Sequence, residues 1–82
     1  MDTLSSEQIK NINSRFTSHI PDEQTIRKMA HVRKKVRELA LEIEMVCPES
    51  REKATALTQL SFVMMSANSA IVQQCPINEK EL

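Results

Sequence analysis

Two runs of residues at helical spacing, one on either side of Pro48, constrain the fold of this chain more than any other feature of its sequence. The first run has apolar side chains at alternating steps of three and four: Met29, Val32, Val36, Leu39, Ile43 and Val46. The second run repeats these steps with smaller and more polar residues: Ala54, Leu57, Ser61, Met64, Asn68 and Ile71. This spacing predicts two helices that each bury one face. Because proline interrupts helical hydrogen bonding and few residues surround it, the helices are predicted to run antiparallel, over residues 22–46 and 49–74.

A shorter helix is predicted before the hairpin, over residues 5–16. Ser5 and Gln8 have the spacing of a capping box, in which each side chain bonds to the backbone amide of the other residue. The residue before Pro21 is disfavoured in helical geometry, so residues 17–21 are predicted to break the helix and, with Phe16, to form an arm.

The remaining segments complete the predicted architecture. Asp22 is a suitable N-cap for the second helix, and residues 76–82, after the last predicted helix, are expected to form a loose tail. The sequence therefore predicts one all-α domain over residues 1–82, an antiparallel helical hairpin with a short N-terminal helix and an arm.

The composition argues against enzymatic activity. The 82 residues contain no glycine, so the chain cannot build the glycine-rich loops that bind phosphates in many nucleotide-dependent enzymes. His19 and His31 do not lie at zinc-ligand spacing from a cysteine, and Cys47 and Cys75 are 28 residues apart. We therefore expect no catalytic residues, no metal ion and no cofactor.

A chain this short has room for only a thin core, and its apolar burial barely offsets the entropy lost on folding. A disulfide between Cys47 and Cys75 is disfavoured. The second hairpin helix would separate them by roughly 40 Å, whereas bonded cysteines have Cα atoms within about 7 Å of each other. Self-association is the remaining way to add burial, so we expect a homo-oligomer.

Membrane insertion and export are not expected from the sequence. No apolar segment precedes a cleavage site, and no stretch approaches the roughly 20 apolar residues that span a membrane. The expected location is the cytoplasm.

Positive charge is concentrated in one segment although the net charge is zero. Between Gln24 and Arg37 the chain has no acidic residue and six basic ones: Arg27, Lys28, Arg33, Lys34, Lys35 and Arg37. An ordinary solvated helix face usually interleaves both signs of charge. Two interpretations remain open at this point: a solvated face, and a binding site for a small polyanion that a second chain or the arm would have to complete.

Three strings of residues resemble a known phage family. "RFTSHIP", "CPESREKATALTQL" and "MMSANSAI" are similar to strings in the anti-CBASS cyclic-oligonucleotide sponges, whose small helical-hairpin domain is shared with anti-Thoeris sponges. The resemblance covers residues 15–72. It implies an interlocked oligomer, typically a hexamer, that sequesters cyclic dinucleotides, and in some cases cyclic trinucleotides, in the cytoplasm of the infected host. The messenger is held and not cleaved.

The resemblance also implies roles for particular residues. His19 and Pro21 would belong to the arm that closes the ligand pocket. Arg33, with Arg27 or Lys34 beside it, would contact phosphate groups.

Three positions depart from the family pattern. Ser18 stands where the arm often has tyrosine, and base stacking is worth about 1–3 kcal/mol per base, so Phe16 or His19 would have to replace that contact. Ser66 replaces a common tryptophan. Gln73 stands where a basic residue is frequent, at a second, C-terminal ligand site.

Two other functions agree with part of the sequence. The protein could be a helical oligomer whose basic face docks on an acidic host protein. It could also be a small DNA-binding regulator, although zero net charge and the lack of a recognisable helix-turn-helix disfavour DNA as a partner. Asn68, on the apolar seam of the second hairpin helix, is interpreted as a buried polar residue that fixes register or partner number.

Overall fold

The computed structural model describes residues 3–82 and contains three α-helices: α1 (Ser6–Phe16), α2 (Glu23–Val46) and α3 (Arg51–Val72). At the open end of the pair, the Thr25 hydroxyl of α2 lies 3.1 Å from Sγ of Cys75, which follows α3. At the turn, Nζ of Lys53 in α3 lies 3.0 Å from the backbone oxygen of Glu44 in α2. Since the beginning of each helix contacts the end of the other, α2 and α3 run antiparallel. The predicted all-α hairpin is confirmed.

Side-chain caps set where the hairpin helices begin. Oδ1 of Asp22 accepts a hydrogen bond from the amide of Thr25 at 2.7 Å, so α2 begins one residue later than predicted. Oγ of Ser50 accepts from the amide of Lys53 at 3.1 Å, and α3 begins at Arg51, because the residues before Ser50 form the turn. Each cap satisfies an amide that has no partner inside its helix.

The short helix α1 makes no close backbone approach to α2 or α3 within residues 3–82. Its predicted capping box is present, with Ser5 and Gln8 each accepting a hydrogen bond from the amide of the other. Ile9 and Ile12, on its apolar face, are exposed. In this single chain, α1 therefore gains little stability from packing.

Residues 76–82 do not form the expected loose tail. The amide of Ile20 in the arm (residues 16–21, of which Phe16 is the last residue of α1) donates to the carbonyl of Pro76 at 2.8 Å, and the amide of Asn78 donates to the carbonyl of Ser18 at 2.6 Å. An isolated antiparallel bridge joins His19 and Ile77 between these bonds. The extended arm has backbone groups that no helix satisfies, and a second extended segment after α3 supplies their partners. A turn of 3₁₀ helix, Glu79–Glu81, follows.

The chain has almost no interior of its own. Among residues 3–82, only Thr25, Lys53 and Cys75 are buried. The radius of gyration is 17.3 Å, whereas a compact domain of this length would have about 12 Å. The accessible surface is 6940 Å², compared with about 5,000 Å² for a compact protein of this mass. A single copy therefore leaves much more surface in water than a stable domain usually does.

Helix α3 has the most apolar composition of the three helices. Contrary to the expectation from the sequence, it is long and apolar enough to cross a membrane, by length and composition alone. The most apolar stretch of α3 is not buried in the chain. A helix that packs against other protein chains has the same properties, so this finding by itself assigns α3 to no membrane.

Candidate functional site

A shallow, open depression of about 450 Å³ lies between the N-terminal half of α2 and the last turn of α3. It is lined by Gln24, Arg27, Lys28, His31, Val32 and Ile71. The α2 residues in this list are spaced so that they share one side of the helix. Most of its lining surface is apolar, and the half-buried Val32 and Ile71 contribute to it. Its volume is within the range of about 300–1,000 Å³ that is usual for small-molecule sites. We call it the cationic depression.

A second depression of about 430 Å³ adjoins the first and shares Gln24, Lys28 and Ile71 with it. It extends to the beginning of α2, where Asp22 lies. The amide of Thr25 donates a hydrogen bond to the Asp22 carboxylate at 2.7 Å and is the main cause of a pKa below the usual value. Asp22 therefore keeps its negative charge, and an anionic ligand is expected to favour the cationic depression.

Most of the positive charge on α2 is not neutralised. Arg27 forms an ion pair with Glu23 at 2.6 Å, and Lys35 lies 3.7 Å from a carboxylate oxygen of Glu38. Within residues 3–82 no carboxylate lies within 4 Å of the other four basic side chains of the segment, which are Lys28, Arg33, Lys34 and Arg37. Their mutual repulsion would be relieved by a bound polyanion.

The structure brings only one of the predicted phosphate-binding residues to this depression. Arg27 lines it, whereas Arg33 and Lys34 are exposed elsewhere on α2. Lys28 and His31 also lie in the depression, although neither was predicted to contact phosphate. The available signal was i, i+4 spacing, from Arg27 for His31 and from Gln24 for Lys28. The contribution of Ile71, from the other helix, had no signal in the sequence.

The predicted arm residues do not line the cationic depression in a single chain. Phe16 is 71% exposed at the end of α1, and the Arg15 guanidinium lies 5.3 Å from its ring centroid. Ser18 is exposed, and its backbone groups bond to the C-terminal segment, residues 75–82. Pro21 is exposed just before the cap of α2.

His19 is held by backbone atoms on both sides of its ring. Nδ1 lies 2.8 Å from the carbonyl oxygen of Cys75, and Nε2 lies 2.6 Å from that of Ser14. Hydrogen bonds to these two carbonyls raise the pKa of His19 above its ordinary value, and the bond to Ser14 has the larger effect. Both ring nitrogens are therefore occupied, and neither is free to bond a ligand in this conformation.

Lys53 is a buried charge that sequence reasoning missed. Its side chain is 5% exposed, and Nζ lies 2.5 Å from Oε1 of Glu49 and 3.0 Å from Oε1 of Glu44. Hydrogen bonds to these carboxylates raise the pKa of Lys53, and the bond to Glu49 has the larger effect. The i, i+4 spacing of Glu49 and Lys53 was the only signal for this contact. Lys53 closes the turn of the hairpin and lies far from the cationic depression.

Within residues 3–82 no group of three or more His, Cys, Asp or Glu side chains is arranged to hold a metal ion. Cys47 is exposed at the turn, and Cys75 is buried next to Thr25.

Comparison with known proteins identifies the family. Residues 8–72 match the family model described as Acb2/Tad1, hairpin domain. No curated protein and no solved structure gave a significant match. The matched residues include both hairpin helices and the arm, and they make up well over half of the chain. The chain therefore belongs to the Acb2/Tad1 hairpin family, the anti-CBASS and anti-Thoeris sponges, which are binding proteins for cyclic oligonucleotides.

Proposed function

We propose that this protein binds cyclic di- or trinucleotide second messengers without cleaving them and thereby blocks CBASS anti-phage signalling in the cytoplasm of the infected host. The observation that carries the proposal is the un-neutralised Lys28, next to the ion-paired Arg27, in a depression of small-molecule size in a chain of the sponge family.

The residues of the cationic depression suit the two parts of a cyclic nucleotide. Each phosphodiester carries a negative charge, which Lys28 and Arg27 can contact. Arg27 would have to exchange its partner Glu23, but both side chains are exposed, and such surface pairs are worth only about 0.2–1 kcal/mol. The apolar surface of Val32 and Ile71 suits the face of a base.

We further propose that the site is completed by other copies of the chain, in a homo-oligomer that is a hexamer. The cationic depression is open to solvent in one copy, whereas ligand sites usually bury most of the ligand. The large exposed surface of a single chain supports this assembly. In the oligomer, the arm of one copy, with Phe16, Ser18 and Pro21, could close the depression of another, and Arg33 and Lys34 could reach the ligand of a neighbouring copy.

The test is isothermal titration calorimetry and native mass spectrometry with a panel of cyclic di- and trinucleotides. Lys28→Ala should raise Kd about tenfold, which is about 1.4 kcal/mol, because it removes an un-neutralised charge from the depression. Lys35→Ala is the matched control, since Lys35 already has Glu38 as a partner and lies outside the depression. It should leave Kd within about twofold. Absence of binding with every member of the panel would refute the proposal.

Sequestration is distinguished from cleavage by recovering the ligand. After incubation and heat denaturation of the protein, chromatography should return the cyclic nucleotide intact and in full amount. A linear product would show that the protein is an enzyme.

A further inference from the structure

The arm and the C-terminal segment are joined by a small set of contacts that centre on His19. Backbone hydrogen bonds of Ile20 and Asn78 lie on either side of the bridge between His19 and Ile77. The ring of His19 adds contacts to the carbonyls of Ser14, in α1, and Cys75, after α3. One side chain thus connects three separate parts of the chain. We call this set of contacts the clasp.

The chemistry of the two ring contacts depends on the proton count of the ring. A backbone carbonyl only accepts hydrogen bonds, and a neutral imidazole has one N–H, so it can satisfy only one of the two carbonyls. The imidazolium has two N–H groups and can donate to both, at 2.8 Å to Cys75 and 2.6 Å to Ser14. A neutral ring would place an unprotonated nitrogen lone pair against a carbonyl oxygen at one of these contacts.

We propose that His19 is a positioning residue that holds the arm against α1 and the C-terminal segment only while its ring is protonated, so that loss of the proton opens the clasp. The contacts that favour the charged ring also raise its pKa. A raised pKa means that the folded state holds the proton more tightly than the unfolded chain. The stabilisation is therefore complete below about pH 6.5, the ordinary value, and is lost as the pH rises through the higher value of the closed clasp.

The other titratable groups around His19 act in opposite directions. Lys10 of α1 lines the same cavity of about 410 Å³, and its positive charge opposes protonation of the ring. Glu81 of the C-terminal segment accepts a hydrogen bond from the Ser18 amide at 2.7 Å, next to His19, and its negative charge favours protonation. Cys75 lies in the same cavity, and its thiol is engaged with Thr25. The two carbonyls are in direct contact with the ring and determine its preferred state.

The clasp has a consequence for ligand binding that rests on the proposed function. The arm carries Phe16 and Ser18 on one side of His19 and Pro21 on the other, so an open clasp would release the residues proposed to close the site. Affinity for a cyclic nucleotide should then fall several-fold as the clasp opens.

The ring protons can be observed directly in the ligand-free protein. Long-range ¹H–¹⁵N correlation spectra report which ring nitrogens carry protons. Between pH 6 and 8, we expect His19 to keep both ring protons to a pH above 6.5, the ordinary pKa of histidine. A single ring proton on His19 across this range would overturn the proposal without any variant.

Opening of the clasp is measured by amide exchange at Ile20 and Asn78, whose N–H groups donate across it. From pH 6 to 8 their exchange should accelerate more than that of Cys47, whose amide donates to Ile43 at the far end of α2. In His19→Gln, which stays neutral, this extra acceleration should disappear, and both amides should exchange fast at each pH. His31→Gln should behave as the wild type. Extra acceleration that persists in His19→Gln would also overturn the proposal.

Calorimetry with a cyclic dinucleotide at pH 6 and pH 8 then tests the link to the site. The wild type should lose affinity several-fold at pH 8, and His19→Gln should bind equally weakly at both values. Equal wild-type affinity at pH 6 and pH 8 would show that the clasp does not affect ligand binding. If no ligand binds at either pH while the ring and exchange results hold, the proposed function is wrong and the clasp stands.

Discussion

Nζ of Lys53 and Oε1 of Glu49 are 2.5 Å apart at the closed end of the hairpin, where the ammonium group is buried and the carboxylate is exposed. The same nitrogen donates to the backbone oxygen of Glu44 at 3.0 Å. One side chain at the beginning of α3 thereby joins the turn to the last part of α2. Because the chain contains no glycine to form a tighter turn, this contact is a main constraint on how the two helices meet.

Replacing Lys53 should loosen the hairpin. Lys53→Met keeps most of the alkyl chain but removes every donor, so we expect a lower Tm by circular dichroism. Lys35→Met, in which the exposed pair with Glu38 is lost, should leave the Tm nearly unchanged, because exposed pairs contribute little. An equal effect of both substitutions would show that the buried position of Lys53 has no special importance.

The N-cap of α3 allows a quantitative test. Ser50→Ala removes the oxygen that accepts the Lys53 amide at 3.1 Å, and it should lower the free energy of unfolding by about 1 kcal/mol. Ser50→Gly should lower it by only a few tenths of that amount, since water can reach the amide. Urea titration measures both. The control is Ser61→Ala, within α3, where the exposed hydroxyl bonds to its own helix and a change of less than about 0.5 kcal/mol is expected.

Acid should break the hydrogen bond between Ser18 of the arm and Glu81, whereas the contacts of His19 are proposed to break as the pH rises. The Ser18 amide lowers the pKa of Glu81 by donating to its carboxylate, so this contact is complete above the ordinary value of about 4.5 and is lost as the pH falls through the lower value of the folded protein. Amide exchange of Ser18, corrected for its intrinsic pH dependence, should therefore rise below this range. Glu81→Gln should remove the pH dependence, while Glu79→Gln, in the same turn, should retain it. A Ser18 amide that ignores acid in the wild type would contradict the contact.

The sequence was sufficient to predict the hairpin because its determinants are local. The alternating steps along α2 and α3, the proline between them and the Asp22 cap all act over a few residues. The pairing of the arm with residues 76–82 could not be predicted in this way. It joins backbone groups of two short extended segments, such as those of Ile20 and Pro76, that have no periodicity and are far apart in the chain.

The candidate site was predictable only in part for a related reason. An acid-free run of basic residues pointed to the half of α2 that lines the cationic depression. Which of those residues face a depression depends on how α2 is rotated against α3, and Ile71 fixes this only in three dimensions. Lys53 was missed because lysine is rarely buried, so its sequence position suggested a solvated side chain.

The exposed apolar surface of α3 makes the proposed assembly testable. Phe62 and Met65 are 59% and 60% exposed in the single chain. If other copies cover them, Phe62→Glu or Met65→Glu should dissociate the oligomer, because a buried unpaired carboxylate is strongly unfavourable. Analytical ultracentrifugation measures this. The control is Leu82→Glu, an equally exposed apolar residue outside α3, which should leave the subunit number unchanged. A wild type that sediments as a folded single chain, or that partitions into membranes, would exclude the assembly.

Asn68 should determine how uniform that assembly is. Its Oδ1 atom is buried and has no hydrogen-bond partner among the described residues, although it occupies the seam position between Met64 and Ile71. If the side chain turns outward on assembly, the amide N–H of Asn68 in another copy can satisfy this oxygen and fix the register of contact, as buried asparagines do in coiled coils. Asn68→Leu should then raise the free energy of unfolding by about 1 kcal/mol, because the polar group no longer has to be desolvated.

The same variant should give a mixture of subunit numbers in native mass spectrometry. Asn11→Leu, on the exposed surface of α1, is the control and should keep the wild-type number. A single, unchanged subunit number in Asn68→Leu would show that the register is set by shape alone, since the apolar side chains of α3 would then select the assembly without a polar contact.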